Sequence, residues 1–133
     1  MGQQKHEIER FEVGDRCRSD ERGWVLFPWE GRRADIDPST LHIVHIVPGG
    51  TRGNHFHPRV SEWLCPISGE GLLLYRPSGE ENVRELRMDS RRLCVRIPPG
   101  IRHAVRNTGT EDLLLVAARG RDEEGDLTIK EEV

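Results

Sequence analysis

The chain has 133 residues, with 23 Asp and Glu against 20 Lys and Arg, and a formal net charge of -3. This length fits one domain that can bury its own hydrophobic core. The acidic balance argues against a general nucleic-acid-binding protein, which would carry a basic face. We therefore expect no nucleic-acid partner.

Short apolar runs alternate with Gly, Pro, Asn and Asp along the chain. They predict nine strands, at residues 24–29, 41–47, 54–57, 62–66, 71–76, 83–88, 93–97, 103–107 and 113–118. Many short strands at this spacing favour an all-β sandwich or barrel. The highly charged ends, residues 1–10 and 119–133, predict loose or lightly docked termini around a single domain with a core at about 20–118.

The three cysteines are Cys17, Cys65 and Cys94. Their odd number and wide spacing predict reduced thiols, with neither a disulfide framework nor a Cys-x-x-Cys zinc site. Reduced thiols are typical of cytosolic proteins. The N-terminal residues lack an apolar signal region, and no apolar run approaches the ~20 residues that span a membrane. We expect a cytoplasmic protein with no membrane partner.

Alternation along residues 93–97 makes a prediction about side-chain direction. Val95 and Ile97 should point into the barrel, because residues two apart in a strand share a face. Cys94 and Arg96 should point away from it, and the Cys94 thiol should then be accessible to reagents unless a subunit interface covers it.

Two histidine-containing clusters carry the strongest functional signal. The patterns are Gly49-x5-His55-x-His57-x4-Glu62-x6-Gly69 and Pro98-x-Gly100-x2-His103-x3-Asn107. His55 and His57 can aim two imidazoles at one point, because residues i and i+2 of a strand face the same side. Pro58 favours a break after this pair, so the next strand can bring Glu62 back beside it.

Three histidines and a glutamate suit one divalent transition metal, and zinc, manganese, iron and nickel are all compatible with the set. The rigid Pro-Pro-Gly turn before His103 would fix the angle at which that strand enters the site. The alternative is that these histidines are satisfied core residues with no metal.

The two clusters resemble, in order and spacing, the signature motifs of the cupin superfamily over about residues 40–118. One departure is Arg92, which stands where the second motif usually opens with glycine. The resemblance implies a double-stranded β-helix, or jelly-roll barrel, with a metal near its centre. It also implies His55, His57, Glu62 and His103 as the metal ligands.

A narrower resemblance lies in residues 52–57, which read Arg-Gly-Asn-His-Phe-His. This run is similar to a motif of the sugar-nucleotide 3,5-epimerases and of the cupin domain of capsular-polysaccharide epimerase-reductases. Residues 20–23, Asp-Glu-Arg-Gly, resemble a segment of those epimerases and of ketoisomerases. The resemblance implies proton transfer next to a keto group of a sugar nucleotide, with Arg52 binding the substrate. The alternative for Arg52 is a solvated loop arginine paired with a carboxylate.

Two residues are candidates for catalytic proton transfer, His45 and Tyr75. His42 and His45 lie an odd number of residues apart in one predicted strand, so they face opposite sides and one of them can reach the pocket. Tyr75 is the only tyrosine, and its alternative role is packing in the barrel wall.

Three classes of function fit the sequence. The first is an epimerase or isomerase of a sugar nucleotide or related keto-sugar. The second is a metal-dependent oxygenase of a small organic acid, and the third is a non-catalytic module that binds a small molecule. We also expect a homodimer, in which Trp24, Trp29 and Trp63 cover apolar surface or a subunit contact.

Overall fold

The computed structural model describes residues 7–29, 35–125 and 127–133, which form strands and two short 3-10 helices. Its strands are β1 (Glu9–Glu12), β2 (Cys17–Asp20), β3 (Gly23–Leu26), β4 (His42–Ile46), β5 (Thr51–Phe56), β6 (Glu62–Ser68), β7 (Glu70–Arg76), β8 (Arg84–Asp89), β9 (Leu93–Ile97), β10 (Arg102–Asn107), β11 (Leu113–Arg119) and β12 (Ile129–Lys130). The 3-10 helices are Gly14–Arg16 and Pro38–Thr40. Neither these nor any other described segment is a helix of the length and apolar character that a membrane span requires.

Two five-stranded antiparallel sheets face each other across the core. The first sheet has the order β1-β9-β6-β11-β4, and the second has the order β12-β5-β10-β7-β8. Strands β2 and β3 form a separate hairpin. The all-β barrel predicted from the sequence is confirmed.

Each of the nine predicted strands has a counterpart, and β9 matches its predicted bounds. Strands β1, β2 and β12 were not predicted, because most of their residues are exposed and charged or polar. The ends were expected to be loose or lightly docked, and their described parts are docked through β1 and β12. Strand β1 pairs along its length with β9, and β12 pairs with β5 next to the predicted metal ligands.

The main core fills the space between the two sheets. Val95 and Ile97 of β9 are buried there as predicted, against Leu64 of β6 and Leu115 of β11. Burying one such aliphatic side chain stabilises the fold by about 1.5–3 kcal/mol.

A second, smaller cluster covers the outer face of the first sheet, and its buried members are Phe11, Val13, Trp63, Cys65 and Cys94. Cys65 and Cys94 follow the Leu64–Val95 pair in the β6–β9 register, so they lie directly opposite each other. Their Cα atoms are 4.4 Å apart and their sulfurs form a disulfide. The prediction of reduced thiols is wrong for these two residues, because sequence spacing does not reveal the register of two strands.

Cys94 does point away from the barrel, but its predicted accessibility is wrong. It is fully buried under the second cluster, and its sulfur lies 3.4 Å from the carbonyl of Pro28. Trp63 and Trp29 are also used in this cluster, whereas Trp24 stays exposed beneath the guanidinium of Arg91.

The disulfide makes a prediction about thiol counts. Protein purified without reductant and then unfolded should offer one reactive thiol per chain, that of Cys17, the free cysteine. After reduction all three cysteines should react. Counting thiols with a chromogenic reagent tests this, and three reactive thiols before reduction would contradict the pairing.

Candidate metal centre

His55 and His103 occupy neighbouring strands of the second sheet. They are directly opposite in the β5–β10 pairing, with ring centroids 4.9 Å apart. The turn between β9 and β10 holds His57, the third histidine of the cluster, in place. The backbone N–H of Gly100 in this turn donates to the carbonyl of His57 at 2.9 Å. The rigid Pro-Pro-Gly turn therefore positions both His57 and the strand that carries His103.

Glu62 reaches the three histidines from the facing sheet, as the first residue of β6. Its Oε1 lies 2.8 Å from Nε2 of His103 and 3.4 Å from Nε2 of His57. One ligand atom from each of Glu62, His55, His57 and His103 falls within 4.8 Å of the others. The structure thus brings together all four predicted ligands, and their role in binding a metal stays a prediction.

The contact between His103 and Glu62 requires a shared cation. The Nδ1 of His103 lies 3.0 Å from the carbonyl of Ile101, which can only accept, so Nδ1 carries a proton and donates it. In the neutral ring Nε2 then presents a lone pair to a carboxylate oxygen. Two acceptors at 2.8 Å repel each other unless a proton or a metal ion lies between them.

His57 offers a second nitrogen suited to a metal. Its side chain is buried, and among the described residues its Nε2 has no hydrogen-bond partner. Its Nδ1 lies 3.1 Å from the hydroxyl of Thr128. When Nε2 is the ligand, Nδ1 carries the proton and donates to this hydroxyl, which fixes the ring orientation. The donor set therefore fits a divalent metal.

The electrostatics of the site favour the metal-ligating forms of His55 and Glu62. Desolvation by burial, followed by the charge of His103, lowers the pKa of His55 to about 4, so this imidazole is neutral near pH 7. Burial alone would raise the pKa of Glu62, but a proton shared with Nε2 of His103, together with the neighbouring imidazoles, outweighs burial and holds that pKa below its usual range. A neutral imidazole and an ionised carboxylate are the ligating forms.

A cavity of about 450 Å³ opens onto this cluster. Its wall combines polar side chains with aliphatic ones from both sheets. The polar lining residues are His42, Thr51, Arg52, His55, Glu62, His103 and Lys130.

A β-bulge in β5 directs Arg52 into the cavity. In a regular strand Arg52 and His55 would face opposite sides, because they are three residues apart. Gly53 (φ 110°) and Asn54 (φ 57°) take up the extra residue, and the register with β10 shifts there. Gly53 has no room for a side chain, since a Cβ would lie 3.0 Å from the backbone of Ala104.

The proton-transfer candidates lie in different places. His45 faces away from the cavity and pairs with Asp112, with Nε2 and Oδ2 3.0 Å apart. His42 lines the cavity instead, and its Nε2 lies 3.8 Å from Oε2 of Glu62. Tyr75 is buried in the main core opposite His103 and is not part of the cavity wall.

Sequence reasoning missed the contribution of the C-terminal segment. Thr128 contacts His57, and Lys130 lines the cavity. The short segment around Ile129 carries no strand signal, because most of its neighbours are charged.

Residues 18–119 match the family model described as the polysaccharide biosynthesis C-terminal domain. No curated protein matches the sequence of the chain significantly.

Solved structures of a capsular polysaccharide assembling protein and of two sugar-modifying enzymes share the fold. The capsular polysaccharide assembling protein CapF of Staphylococcus aureus matches 88% of this chain with 25% identity and a TM-score of 0.64. The match covers 34% of CapF, so this chain spans about a third of that protein. QdtA, a sugar 3,4-ketoisomerase from Thermoanaerobacterium thermosaccharolyticum solved with TDP, has 17% identity and a TM-score of 0.68, over 90% of this chain and 86% of QdtA.

NovW of Streptomyces spheroides, a 4-keto-6-deoxy sugar epimerase from the novobiocin gene cluster, has 18% identity and a TM-score of 0.69. That match covers 90% of this chain and 66% of NovW. Together these likenesses confirm the cupin barrel that the two motifs predict.

The cluster predicts one divalent metal per chain. After loading with Zn²⁺, Mn²⁺, Fe²⁺ or Ni²⁺ and desalting, wild type should retain about one equivalent of at least one ion, and His57→Ala and His103→Ala should retain far less. His45→Ala is the matched control, because it removes an imidazole outside the cavity. Mass spectrometry of the metal content decides, and equal metal in all four proteins would end the hypothesis.

The Thr128 contact predicts a role in orienting His57. Thr128→Val keeps the side-chain shape but removes the acceptor, so it should weaken Zn²⁺ binding by about tenfold, the lower end of such effects. Thr128→Ser should retain wild-type affinity because it restores the hydroxyl. Competition with a chromogenic chelator measures both. Unchanged affinity in Thr128→Val would mean that the contact does not position the ring.

Proposed function

The chain belongs to the family of polysaccharide biosynthesis C-terminal domains, and from this premise we propose that it is a metal-binding cupin that epimerises or isomerises a nucleotide-linked keto-sugar. The ketoisomerase QdtA and the epimerase NovW share its fold. Both names denote reactions at a carbon next to a keto group of a sugar. The reaction class is therefore common to the two neighbours even though their products differ.

The observation that carries this proposal is the cluster of four donors at the edge of an open cavity. Three of the four donor residues, His55, Glu62 and His103, belong to the wall of the cavity, where a ligand can reach them. A site that only stabilised the fold would be closed, whereas catalytic metal sites keep a position open to substrate.

His55, His57, Glu62 and His103 would hold the metal, which when bound would act as a Lewis acid on the keto oxygen of the substrate. Arg52 would bind a phosphate or a sugar hydroxyl, because its guanidinium faces the same cavity.

In this proposal the catalytic base is His42 and not His45, the residue that the sequence suggested. Its Nδ1 lies 2.6 Å from the carbonyl of Thr40 and therefore donates to it, which leaves Nε2 as an acceptor directed at the cavity. From there it can take a proton from the carbon next to the keto group.

Exchange with solvent deuterium tests the reaction class, because epimerisation and ketoisomerisation share removal of that proton. Metal-loaded wild type, incubated with TDP-4-keto-6-deoxyglucose in D₂O, should introduce deuterium next to the keto group. His42→Asn should slow exchange by about 100-fold, the size expected for loss of a general base. His45→Asn, its counterpart on the outer face, should remain near wild type. Proton NMR of the recovered sugar gives the rates.

Other outcomes would replace the proposal. Absence of exchange on TDP-linked and UDP-linked keto-sugars, with metal retained, would remove the epimerase or isomerase assignment. Oxygen consumption by the Fe²⁺ form with a small organic acid would then support an oxygenase. Tight ligand binding without turnover would support a binding module.

The homodimer expected from the sequence is also part of this proposal. Strand β4 is an edge of the first sheet and pairs with β11 alone among the described strands. Leu41, Ile43 and Val47 on its outer face are more than half exposed, and the strand carries neither Lys nor Pro to discourage edge pairing. A second copy that pairs across a two-fold axis would cover them.

Light scattering should therefore give about twice the chain mass of 15.2 kDa. Ile43→Glu should shift the protein toward the monomer, because it places a charge at the centre of the proposed contact. A mass near 15.2 kDa for wild type at all concentrations would contradict the dimer.

A further inference from the structure

We propose that Lys130, on the C-terminal strand β12, is a specificity-determining residue that joins Arg52 in binding the diphosphate of the ligand. This inference rests on the proposed function, because a nucleotide-linked sugar is the ligand class that carries a diphosphate.

The register of β12 directs Lys130 toward the cavity. Lys130 lies directly opposite His55 in the antiparallel pairing with β5. Directly opposed residues project from the same face of a sheet. Since His55 faces the cavity, Lys130 does as well, and both belong to its wall.

Strand β12 is held in this position by several contacts. The backbone N–H of Glu131 donates to the carbonyl of Asn54 at 2.9 Å, and that of Val133 donates to Oδ1 of the same residue at 3.2 Å. The carboxylate of Glu131 also pairs with Arg102 of β10. These contacts fix the backbone of Lys130 beside the cavity, so its position is set by strand pairing and not by a freely mobile C-terminal tail.

Asn54 connects the two cations. It is the bulge residue that directs Arg52 inward, and it also accepts the hydrogen bonds that hold β12. One irregularity in β5 therefore aims a guanidinium into the cavity and anchors the strand that brings an ammonium to it.

Arg52 and Lys130 carry charges that no described carboxylate neutralises, since no ion pair involves either of them within residues 7–29, 35–125 and 127–133. Other arginines near the site are paired, as Arg59 is with Asp122 at 3.0 Å and Arg102 is with Glu131. The cavity wall thus carries two cations and one carboxylate, that of Glu62, and this excess of positive charge favours an anion there.

The charge count favours a diphosphate over a carboxylate. A diphosphate diester carries two negative charges at neutral pH, one for each cation, whereas a sugar acid carries one. Arginine matches phosphoryl oxygens through paired N–H groups, and lysine adds a point charge. Lys130 would thus help the site select a nucleotide-linked sugar over a free sugar acid.

Calorimetric titration of the full chain with TDP, thymidine, inorganic pyrophosphate and glucuronate tests this assignment. Lys130→Met keeps most of the side-chain length but removes the charge, and it should weaken TDP binding by about fivefold to tenfold. Lys130→Arg should restore it, and thymidine binding should not change. Arg87→Met is the matched control, because it removes one charge from an exposed position of β8, where Arg87 pairs with Asp89 outside the cavity wall.

Each outcome tests the role of Lys130 in diphosphate binding independently of whether the protein is an epimerase or isomerase. Equal TDP affinity in wild type and Lys130→Met overturns it, even if the protein proves to be an epimerase. Loss of pyrophosphate affinity in Lys130→Met supports it, even if no keto-sugar turns over. Glucuronate binding that depends on Lys130, with no binding of TDP or pyrophosphate, overturns the diphosphate in favour of a carboxylate. Failure of wild type to bind any of these anions also overturns it.

Discussion

The site depends on one contact between the two sheets, that of His103 on β10 with Glu62 on β6. The carbonyl of Ile101 fixes the His103 proton on Nδ1, so the nitrogen that faces Glu62 is an acceptor in the neutral ring. A carboxylate and an imidazole lone pair at 2.8 Å need a cation between them. A proton can supply that charge for this pair alone. A divalent metal can supply it for the whole cluster, including the buried Nε2 of His57, which has no hydrogen-bond partner among the described residues.

The elements around this contact are arranged to hold it. The turn at residues 98–100 binds the carbonyl of His57 and begins the strand that carries His103. The bulge at Gly53 and Asn54 directs Arg52 toward the same space as His55 and anchors β12. The motif asparagine Asn107 lies elsewhere and has a structural role, because its amide donates to the carbonyls of Ile46 and Glu111 at 2.8 Å.

The four donors could be predicted because their geometry is local. His55 and His57 share a face because residues two apart in a strand point to the same side. The breaks at Pro58 and at the Pro-Pro-Gly turn end the strands where the chain must reverse to place Glu62 and His103 beside them. Features that depend on the register between strands or on long-range packing could not be predicted from the sequence. The Cys65–Cys94 pair depends on how β6 meets β9, and β12 forms only because the edge of β5 accepts it. Alternation restricted the cavity histidine to one of His42 and His45, but only the structure distinguishes which face is inside.

The most direct test of the central claim is anomalous diffraction from crystals of metal-loaded protein, collected on both sides of the absorption edge of the metal. The account predicts one strong peak per chain, within coordination distance of His55, His57, Glu62 and His103. A peak that lies only elsewhere, or a structure in which His103 and Glu62 stay in direct hydrogen-bond contact after loading with each candidate ion, would contradict it. In that case the shared cation is a proton, and the cluster is a buried ion pair and not a metal centre.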